Sequence, residues 1–434
     1  MADNAILALF TDRDDGLWAG MNSGLVQIVH NNAVTIFDGT NGPTPGTIDG
    51  WYRHRDKVYA GSFDGLYELM PPDPAAGTPA AFERIVDTVA NVFAFTTLGD
   101  HLVFSGSEGL YRLNADRSYE LILPLSQNPP KTIADSQLVK NRVYASGQDG
   151  LTVLERTGEE FRILGEVLDL GTSFFFNEEA DGDVWLGSYS TGFTRVLAAH
   201  QITDWDQIPM ERYWRSNGLP EDMTWTTVTD GSLGTVFFTD AGGMMFDEEN
   251  RRFTTDTRYQ IDGQTGLGLT PSIVTPDGST WTSVFGESAM NAAYPFGRFL
   301  PPDADGKVTW QAAQGGALDE IGFGGAAVFY VDQQSDRTVM WARGYGNHIR
   351  VELDRLTVDR PVWSALIRNV RRDGRSYATA GADIGGSLFS LPFSTSPITF
   401  DFAVPRYDVS GGFTYQSRPV GFDSKWSEWS NIPQ

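Results

Sequence analysis

One pattern returns eight times along the chain and limits its fold more than any other feature. Each copy contains a short apolar strand, a turn with glycine and a second strand, as in DKVYAGSFDGLYEL. The copies begin at Asp15, Asp56, Asp100, Asn141, Gly182, Gly234, Gly278 and Arg337. Their aligned strand residues are Trp18, Tyr59, Phe104, Tyr144, Trp185, Phe237, Trp281 and Met340. These residues lie roughly 40 to 59 positions apart, which is close to the period of a four-stranded propeller blade.

The segments around each copy supply two further strands. An extended run such as AILALF at 5–10 precedes the copy, and another such as VTIF at 34–37 follows it, so each repeat has four strands. The strand with the aromatic residue is apolar at consecutive positions, which is typical of a sheet covered on both faces. The sequence therefore predicts an all-β protein. We expect residues 1–359 to form a β-propeller of eight blades, with seven blades as the alternative.

The pattern changes from about Arg360 onward, where no further copy is found. Alternating runs at 398–403 and 413–418 predict antiparallel strands of a β-sandwich. We expect residues 360–434 to form a partial Ig-like sandwich that is truncated at Gln434.

Charge and residue inventory exclude several functions. The chain carries 56 acidic and 32 basic residues, and a net charge of −24 repels nucleic acid. It has no cysteine, and its five histidines lack the paired spacing of metal ligands. No phosphate-binding glycine loop and no G-x-S-x-G elbow is found. We therefore predict no catalytic residue, no metal and no cofactor.

One face of the predicted propeller is the expected ligand-binding face. A meandering blade places the loop before its inner strand and the turn between its second and third strands on the same side. The candidate binding residues there are Trp51, Asp64, Glu108, Asp149, Tyr189, Trp225, Asp240, Glu287, Tyr345 and His348. Aromatic rings stack on apolar sugar faces and carboxylates accept hydrogen bonds from hydroxyls, so this mixture suits a carbohydrate. Turn geometry is the competing explanation for the acidic residues, and core packing for the two tryptophans.

The repeats resemble the two-component regulator propeller repeat, D-x-x-G-x-L-W-x-G-T-x-x-G-L, most clearly at 14–25 and 56–66. The C-terminal segment resembles the triple-tyrosine (Y_Y_Y) domain that follows such propellers. The matching positions are Ile398, Thr399, Phe400, Tyr407, Tyr415, Gly421, Phe422, Asp423 and Trp426. The threonine of the repeat is replaced by Met21, Ser62 or Ser107, and the last two copies match poorly.

This resemblance implies the periplasmic sensor region of a hybrid two-component regulator. Members of the family join it through a membrane helix to an output domain, which would follow Gln434, and they often respond to carbohydrates. A small molecule or an oligosaccharide is then the expected ligand, and a homodimer the expected assembly. Two other functions stay open from the residues alone: a glycan-active propeller enzyme (lyase or hydrolase), and a scaffold that only binds other proteins.

Overall fold

The computed structural model of the protein describes most of the chain. The described residues are 5–11, 16–28, 33–43, 48–173, 175–221, 226–239, 241–261, 263–264, 267–269, 272–284, 296–313, 329–343, 348–356, 365–379, 391–404, 414–418, 421 and 425–430. The chain divides into two compact units. The first comprises Met1–Ala313 and Ile321–Leu356, and the second comprises Gln314–Glu320 and Thr357–Gln434.

The described residues of the first unit form eight antiparallel sheets. The first sheet contains β1 (Ile6–Thr11), β2 (Leu17–Met21) and β3 (Gly24–Ile28), and β4 (Val34–Phe37) follows it in the chain. Each of the next six sheets is a meander of four consecutive strands.

The first three of these meanders lie between residues 48 and 167. Their strands are β5 (Ile48–His54), β6 (Lys57–Ser62), β7 (Gly65–Met70) and β8 (Ala81–Val86); β9 (Phe95–Leu98), β10 (His101–Gly106), β11 (Gly109–Leu113) and β12 (Tyr119–Pro124); and β13 (Pro130–Asp135), β14 (Arg142–Gly147), β15 (Leu151–Thr157) and β16 (Glu160–Val167).

The other three meanders lie between residues 175 and 312. Their strands are β17 (Phe175–Glu178), β18 (Val184–Ser188), β19 (Gly192–Val196) and β20 (Met210–Tyr213); β21 (Thr226–Gly231), β22 (Gly234–Thr239), β23 (Gly242–Asp247) and β24 (Arg252–Thr255); and β25 (Ile273–Val274), β26 (Thr280–Ser283), β27 (Phe296–Phe299) and β28 (Trp310–Ala312). The first six copies of the sequence repeat thus form the predicted hairpin between a second and a third strand, whereas β26 of the seventh copy pairs with β27, which lies beyond the end of that copy at Met290.

The last sheet of the first unit combines the two ends of its chain. It contains β29 (Phe329–Gln333), β30 (Thr338–Arg343) and β31 (His348–Glu352), and its fourth strand is β4, with Val34 opposite Val351. The expectation that VTIF at 34–37 completes the sheet of its own repeat is therefore wrong. Its sequence specifies a strand, but the partner of that strand lies more than three hundred residues away.

Successive four-stranded sheets contact each other in chain order, and the last contacts the first through β29 and β5. At that contact the Tyr330 hydroxyl lies 2.9 Å from the backbone nitrogen of Arg53, which donates to it, and the Arg53 side chain donates to Asp332 at 2.7 Å. A closed series of radial four-stranded sheets is a β-propeller, which confirms the predicted fold class. The predicted number of blades stays a prediction.

The repeat requires glycine at its turn for a steric reason. Gly65, Gly109 and Gly150 occupy equivalent turns with φ of +143°, +144° and +140°, where other residues are strained. A Cβ atom at any of them would lie 2.0 Å from a backbone carbonyl oxygen of the neighbouring outer strand. Glycine therefore lets the outer strand approach the hairpin.

The second unit contains a three-stranded antiparallel sheet in the order β33-β32-β34. Its strands are β32 (Leu366–Arg372), β33 (Arg375–Thr379) and β34 (Thr399–Ala403). An isolated antiparallel bridge joins Tyr415 to Ser430. Two of the triple-tyrosine positions, Thr399 and Phe400, lie in β34, whereas Tyr407, Phe422 and Asp423 lie outside the described residues. The predicted sandwich beyond this sheet stays a prediction, and no helix in the described part of the chain is long and apolar enough to cross a membrane.

Glu352, at the end of β31, provides a test of the sheet that joins the chain ends. Its backbone nitrogen donates to the Ala33 oxygen at 2.8 Å, and its carboxylate accepts hydrogen bonds from Arg350 and Arg355 at 2.8 and 2.9 Å. Burial by itself raises the pKa of Glu352, but the hydrogen bonds from Arg355 and Arg350 outweigh it and hold the pKa below its ordinary value.

We expect Glu352→Gln to lower the free energy of unfolding by about 1–2 kcal/mol at pH 7. Because the pKa is depressed in the folded state, this stabilisation is present above the unfolded-state pKa of about 4.3 and is lost as pH falls through the lower folded-state value. Urea unfolding of both proteins at neutral and acidic pH measures the difference. A difference that is the same at both pH values would contradict this role of the charge.

Candidate functional site

The loops before the inner strands and the turns between second and third strands lie on one face of the propeller. The Asn91 nitrogen, in the loop before β9, donates to the Phe63 oxygen in the β6–β7 turn at 3.1 Å. The Tyr189 nitrogen, in the β18–β19 turn, likewise donates to the Thr172 oxygen in the loop before β17 at 3.2 Å. These backbone contacts fix the turns and the loops relative to each other, and they define what we call the turn face.

Polar side chains from four different sheets converge on the turn face. They are Asp49 at the start of β5, Lys131 at the start of β13, Tyr189 after β18 and Arg343 at the end of β30. Arg343 is hydrogen-bonded to Asp49, and both side chains are largely buried. We call Asp49, Lys131, Tyr189 and Arg343 the axial cluster, because the sheets of β5, β13 and β17 can meet only near the axis of the propeller.

Electrostatic interactions link the members of the axial cluster. Burial raises the pKa of the Asp49 carboxyl, although Arg343 and Lys131 attract its charge. Burial lowers the pKa of Lys131 and raises that of Tyr189, whose hydroxyl also experiences the charges of Arg343 and Asp49. The cluster therefore brings two cationic groups, a carboxyl and a phenol into one partly desolvated region, where polar interactions are stronger than in water.

An aromatic pair adjoins the axial cluster. Phe63 is 53% exposed and contacts the buried Phe93 edge to face, with ring centroids 5.3 Å apart. The Lys131 Nζ atom lies 3.9 Å from the centroid of Phe93. An exposed ring beside charged groups is the combination by which proteins stack on the apolar face of a polar ligand and hydrogen-bond its edge.

The carboxylates of Asp64 and Glu108, two of the acidic residues predicted for this face, accept hydrogen bonds from tyrosines of their own hairpins. Asp64 accepts from the Tyr67 hydroxyl at 2.9 Å and from Arg84 at 3.3 Å. Glu108 accepts from the Tyr111 hydroxyl at 3.3 Å. The Asp149 backbone nitrogen donates to the Asn128 side chain at 2.9 Å, and Tyr189 is 47% exposed on the same face. Of these four predicted residues, only Tyr189 belongs to the axial cluster.

Trp51 and His348 lie in the interior. Trp51 is 3% exposed and stacks on Trp341, with ring centroids 6.5 Å apart. His348 is fully buried and meets the edge of Trp51 at 6.1 Å. Their packing joins two sheets, and the exposed part of the turn face does not include them. The predicted candidates Trp225, Asp240, Glu287 and Tyr345 lie outside the described residues.

Four residues of this face were not predicted from the sequence: Asp49, Phe63, Lys131 and Arg343. One signal was present for Lys131, because the chain has only five lysines and this one lies at the start of an inner strand. Phe63 also stands beside the predicted Asp64.

A cluster of three acidic residues lies elsewhere in the described part of the propeller. Carboxylate oxygens of Glu179, Asp181 and Asp183 lie within 4.8 Å of one another. The Arg195 guanidinium contacts all three, bonding to Asp183 and lying 3.8 Å from Asp181 and 4.0 Å from Glu179. An arginine therefore supplies the positive charge that these carboxylates require.

Comparison with known proteins identifies similar folds. No family model matches the chain, and no curated protein matches its sequence. The extracellular domain of the hybrid two-component system BT3049 from B. thetaiotaomicron matches over 98% of this chain and 56% of its own length, with a TM-score of 0.65 and 11% identity. The corresponding domain of BT4673 from the same organism matches over 100% and 58%, with a TM-score of 0.52 and 12% identity. At such low identity these matches show a common fold, and this chain spans somewhat more than half of each of those chains.

Proposed function

We propose that this chain is the extracytoplasmic sensor region of a two-component signalling protein and that it binds a carbohydrate or another polar nutrient at the turn face. The fold it has in common with extracellular domains of hybrid two-component systems supports the sensor role. The observation that carries the binding role is the axial cluster beside the exposed ring of Phe63. A periplasmic location and a role of the second unit as a triple-tyrosine domain belong to the same proposal.

The arrangement favours binding over catalysis. The Asp49 carboxyl is bonded to Arg343, which holds it in place, and a catalytic carboxyl would need access to a substrate proton or carbon. An aromatic ring can stack on a ligand, and cations can bind its hydroxyl or carboxylate oxygens. Together they orient the ligand and select it without any group that reacts with it. The signal would then pass to output domains outside these 434 residues.

A ligand panel with two turn-face variants tests this proposal. A thermal-shift screen against mono- and oligosaccharides should find a ligand that, at 100 times its dissociation constant, stabilises the protein by about 2.7 kcal/mol. Calorimetric titration should then show that Phe63→Ala and Lys131→Met each weaken its binding by about tenfold or more, a loss of about 1.4 kcal/mol. Phe63 would lose stacking contact, and Lys131 would lose its charge.

Leu138→Ala is the matched control. Leu138 is 44% exposed in the β13–β14 turn, at the opposite end of β13 from Lys131, and its replacement should leave binding unchanged. Equal loss of binding in the control would contradict the proposed face. Release of shortened glycans during the screen would instead support an enzyme.

A further inference from the structure

A pocket lies between the sheets of β5–β8 and β9–β12, on the face of the propeller opposite the turn face. It is lined by residues of the β5–β6, β9–β10 and β11–β12 turns and by side chains of β6 and β7, and we call it the far-face pocket. Its volume is about 240 Å³, which is below the roughly 300–1,000 Å³ of pockets that hold drug-sized ligands. A molecule of about the size of a monosaccharide would therefore fill it.

The far-face pocket is rich in basic side chains. Five of its thirteen lining residues are basic, namely His54, Arg55, Lys57, His101 and Arg117. The whole chain has only 32 lysines and arginines and five histidines among its 434 residues, and its net charge is −24. Three acidic residues also line the pocket, of which Asp56 and Asp100 are exposed to water and Glu68 is buried. Basic groups are therefore concentrated at this pocket, whereas the chain as a whole repels anions.

The buried carboxylate holds two of these cations in place. Glu68 is 3% exposed, and its Oε1 atom lies 2.8 Å from Lys57 Nζ and 3.5 Å from a guanidinium nitrogen of Arg117. Both cations are partly exposed, and one buried negative charge thus faces two positive charges. Arg117 also lies 3.5 Å from Glu83, but that pair is open to water and is largely screened.

Arg55 has a backbone conformation that arginine rarely adopts. Its φ is +56°, in the left-handed region that glycine, asparagine and aspartate favour. Its guanidinium and His54 Nε2 both donate to the Asp100 carbonyl oxygen at 3.0 Å, which joins the β5–β6 turn to the β9–β10 turn. The ion pair of Arg55 with the Asp100 carboxylate is 3.6 Å long and exposed, so it contributes little and a ligand can replace it.

We propose that the far-face pocket is a second binding site, separate from the turn face, and that it takes a small organic anion, either a carboxylate or a phosphate ester. The anionic group binds Arg55 and His101 through charge-assisted hydrogen bonds. The organic part of the ligand packs on Tyr59, Leu102 and Leu113, which line the pocket and are buried.

Nuclear magnetic resonance of the histidine rings tests this inference. The chain has five histidines, of which His54 and His101 line the pocket, so isotope-labelled histidine gives signals that report on it directly. His54→Gln and His101→Gln assign these two signals. We expect glucuronate, a glucose phosphate or both to shift them saturably, whereas glucose, which has the same ring without the charge, should not. The anion that saturates the shift identifies the ligand as a carboxylate or a phosphate.

Substitution of Arg55 tests the role of its charge. Arg55→Asn should weaken binding of the anion by about tenfold or more, because it removes a charged donor while asparagine tolerates the backbone conformation. Arg55→Lys keeps the charge and should retain more of the affinity, which separates lost charge from an altered turn. Arg162→Asn is the matched control: the Arg162 side chain is 66% exposed and that of Arg55 is 62% exposed, but Arg162 lies in β16, outside the pocket.

The turn-face variants Phe63→Ala and Lys131→Met should leave this binding unchanged, so failure of either site is seen independently of the other. The inference is overturned if neither anion shifts the two histidine signals or if glucose shifts them equally. It is also overturned if Arg55→Asn leaves the affinity unchanged, or if Arg162→Asn lowers it as much as Arg55→Asn does.

Discussion

Replacing Trp341 with alanine is expected to lower the free energy of unfolding by about 3–5 kcal/mol, the cost of a large cavity in a packed core. Trp341 is 1% exposed, and its ring contacts Phe37 in β4 at 5.7 Å, Phe82 in β8 at 5.8 Å and Trp51 in β5 at 6.5 Å. These residues belong to the last and the first of the four-stranded sheets. The cavity would therefore open at the contact on which closure of the propeller depends.

Guanidinium chloride unfolding, followed by tryptophan fluorescence and by circular dichroism, measures the loss. Met245→Ala is the control, because Met245 is 41% exposed in β23 and its truncation should change the free energy by less than about 0.5 kcal/mol. A loss below about 1 kcal/mol for Trp341→Ala would mean that the closing contact is not packed as described.

Replacing Arg195 with methionine is expected to cost about 3 kcal/mol, because it leaves the buried Asp183 carboxylate without its cation. Arg195 is nearly buried, bonds to Asp183 and Glu248, and lies 5.0 Å from the ring of Trp185. Burial alone lowers the pKa of Arg195, but the bonds with Glu248 and Asp183 outweigh it and raise the pKa above its ordinary value. The positive charge is thus held firmly in place among the carboxylates.

A double-mutant cycle separates this charge effect from lost packing. Adding Asp183→Asn to Arg195→Met removes one of the uncompensated charges, so the double variant should be less destabilised than the sum of the two single variants. Arg162→Met is the exposed control; its pair with Glu155 at 2.6 Å is open to water and should contribute less than about 1 kcal/mol. Strict additivity of Arg195→Met and Asp183→Asn would contradict the electrostatic explanation.

Local features of the fold could be predicted from the sequence because the repeat encodes them directly. Aromatic residues such as Tyr59 and Phe104 mark a strand buried on both faces, and Gly65 and Gly109 mark turns that admit no side chain. These signals lie within a few residues of one another. They predict the hairpin correctly in the first six copies and in the copy at Arg337, whereas the predicted turn and third strand of the copy at Gly278 lie outside the described residues.

The partner of β4 could not be predicted in the same way. VTIF specifies an extended, apolar segment, and the same four residues would suit the sheet of β1–β3 or the sheet of β29–β31 equally well. Which of the two sheets β4 joins depends on how the series of sheets closes. Closure is a property of the whole first unit and cannot be deduced from four residues.

The axial cluster was missed for a related reason. Asp49, Lys131 and Arg343 are separated by long stretches of chain, and no spacing links them. Turn residues such as Asp64 were easier to identify from the sequence, because acidic residues are common in turns. Acidic residues are common there because they stabilise the turn, and Asp64 does so by accepting a hydrogen bond from the Tyr67 hydroxyl.

The pairing of β4 with β31 also governs the order of events during synthesis. A ribosome releases Val34 long before Val351, so β4 must wait without its partner while the intervening sheets are made. Contacts of such large sequence separation are slow to form, because the entropy of closing the loop is lost before the pairing compensates for it. The propeller therefore closes only after β31 has emerged, and until then a folding chaperone would encounter β4 as an unpaired strand.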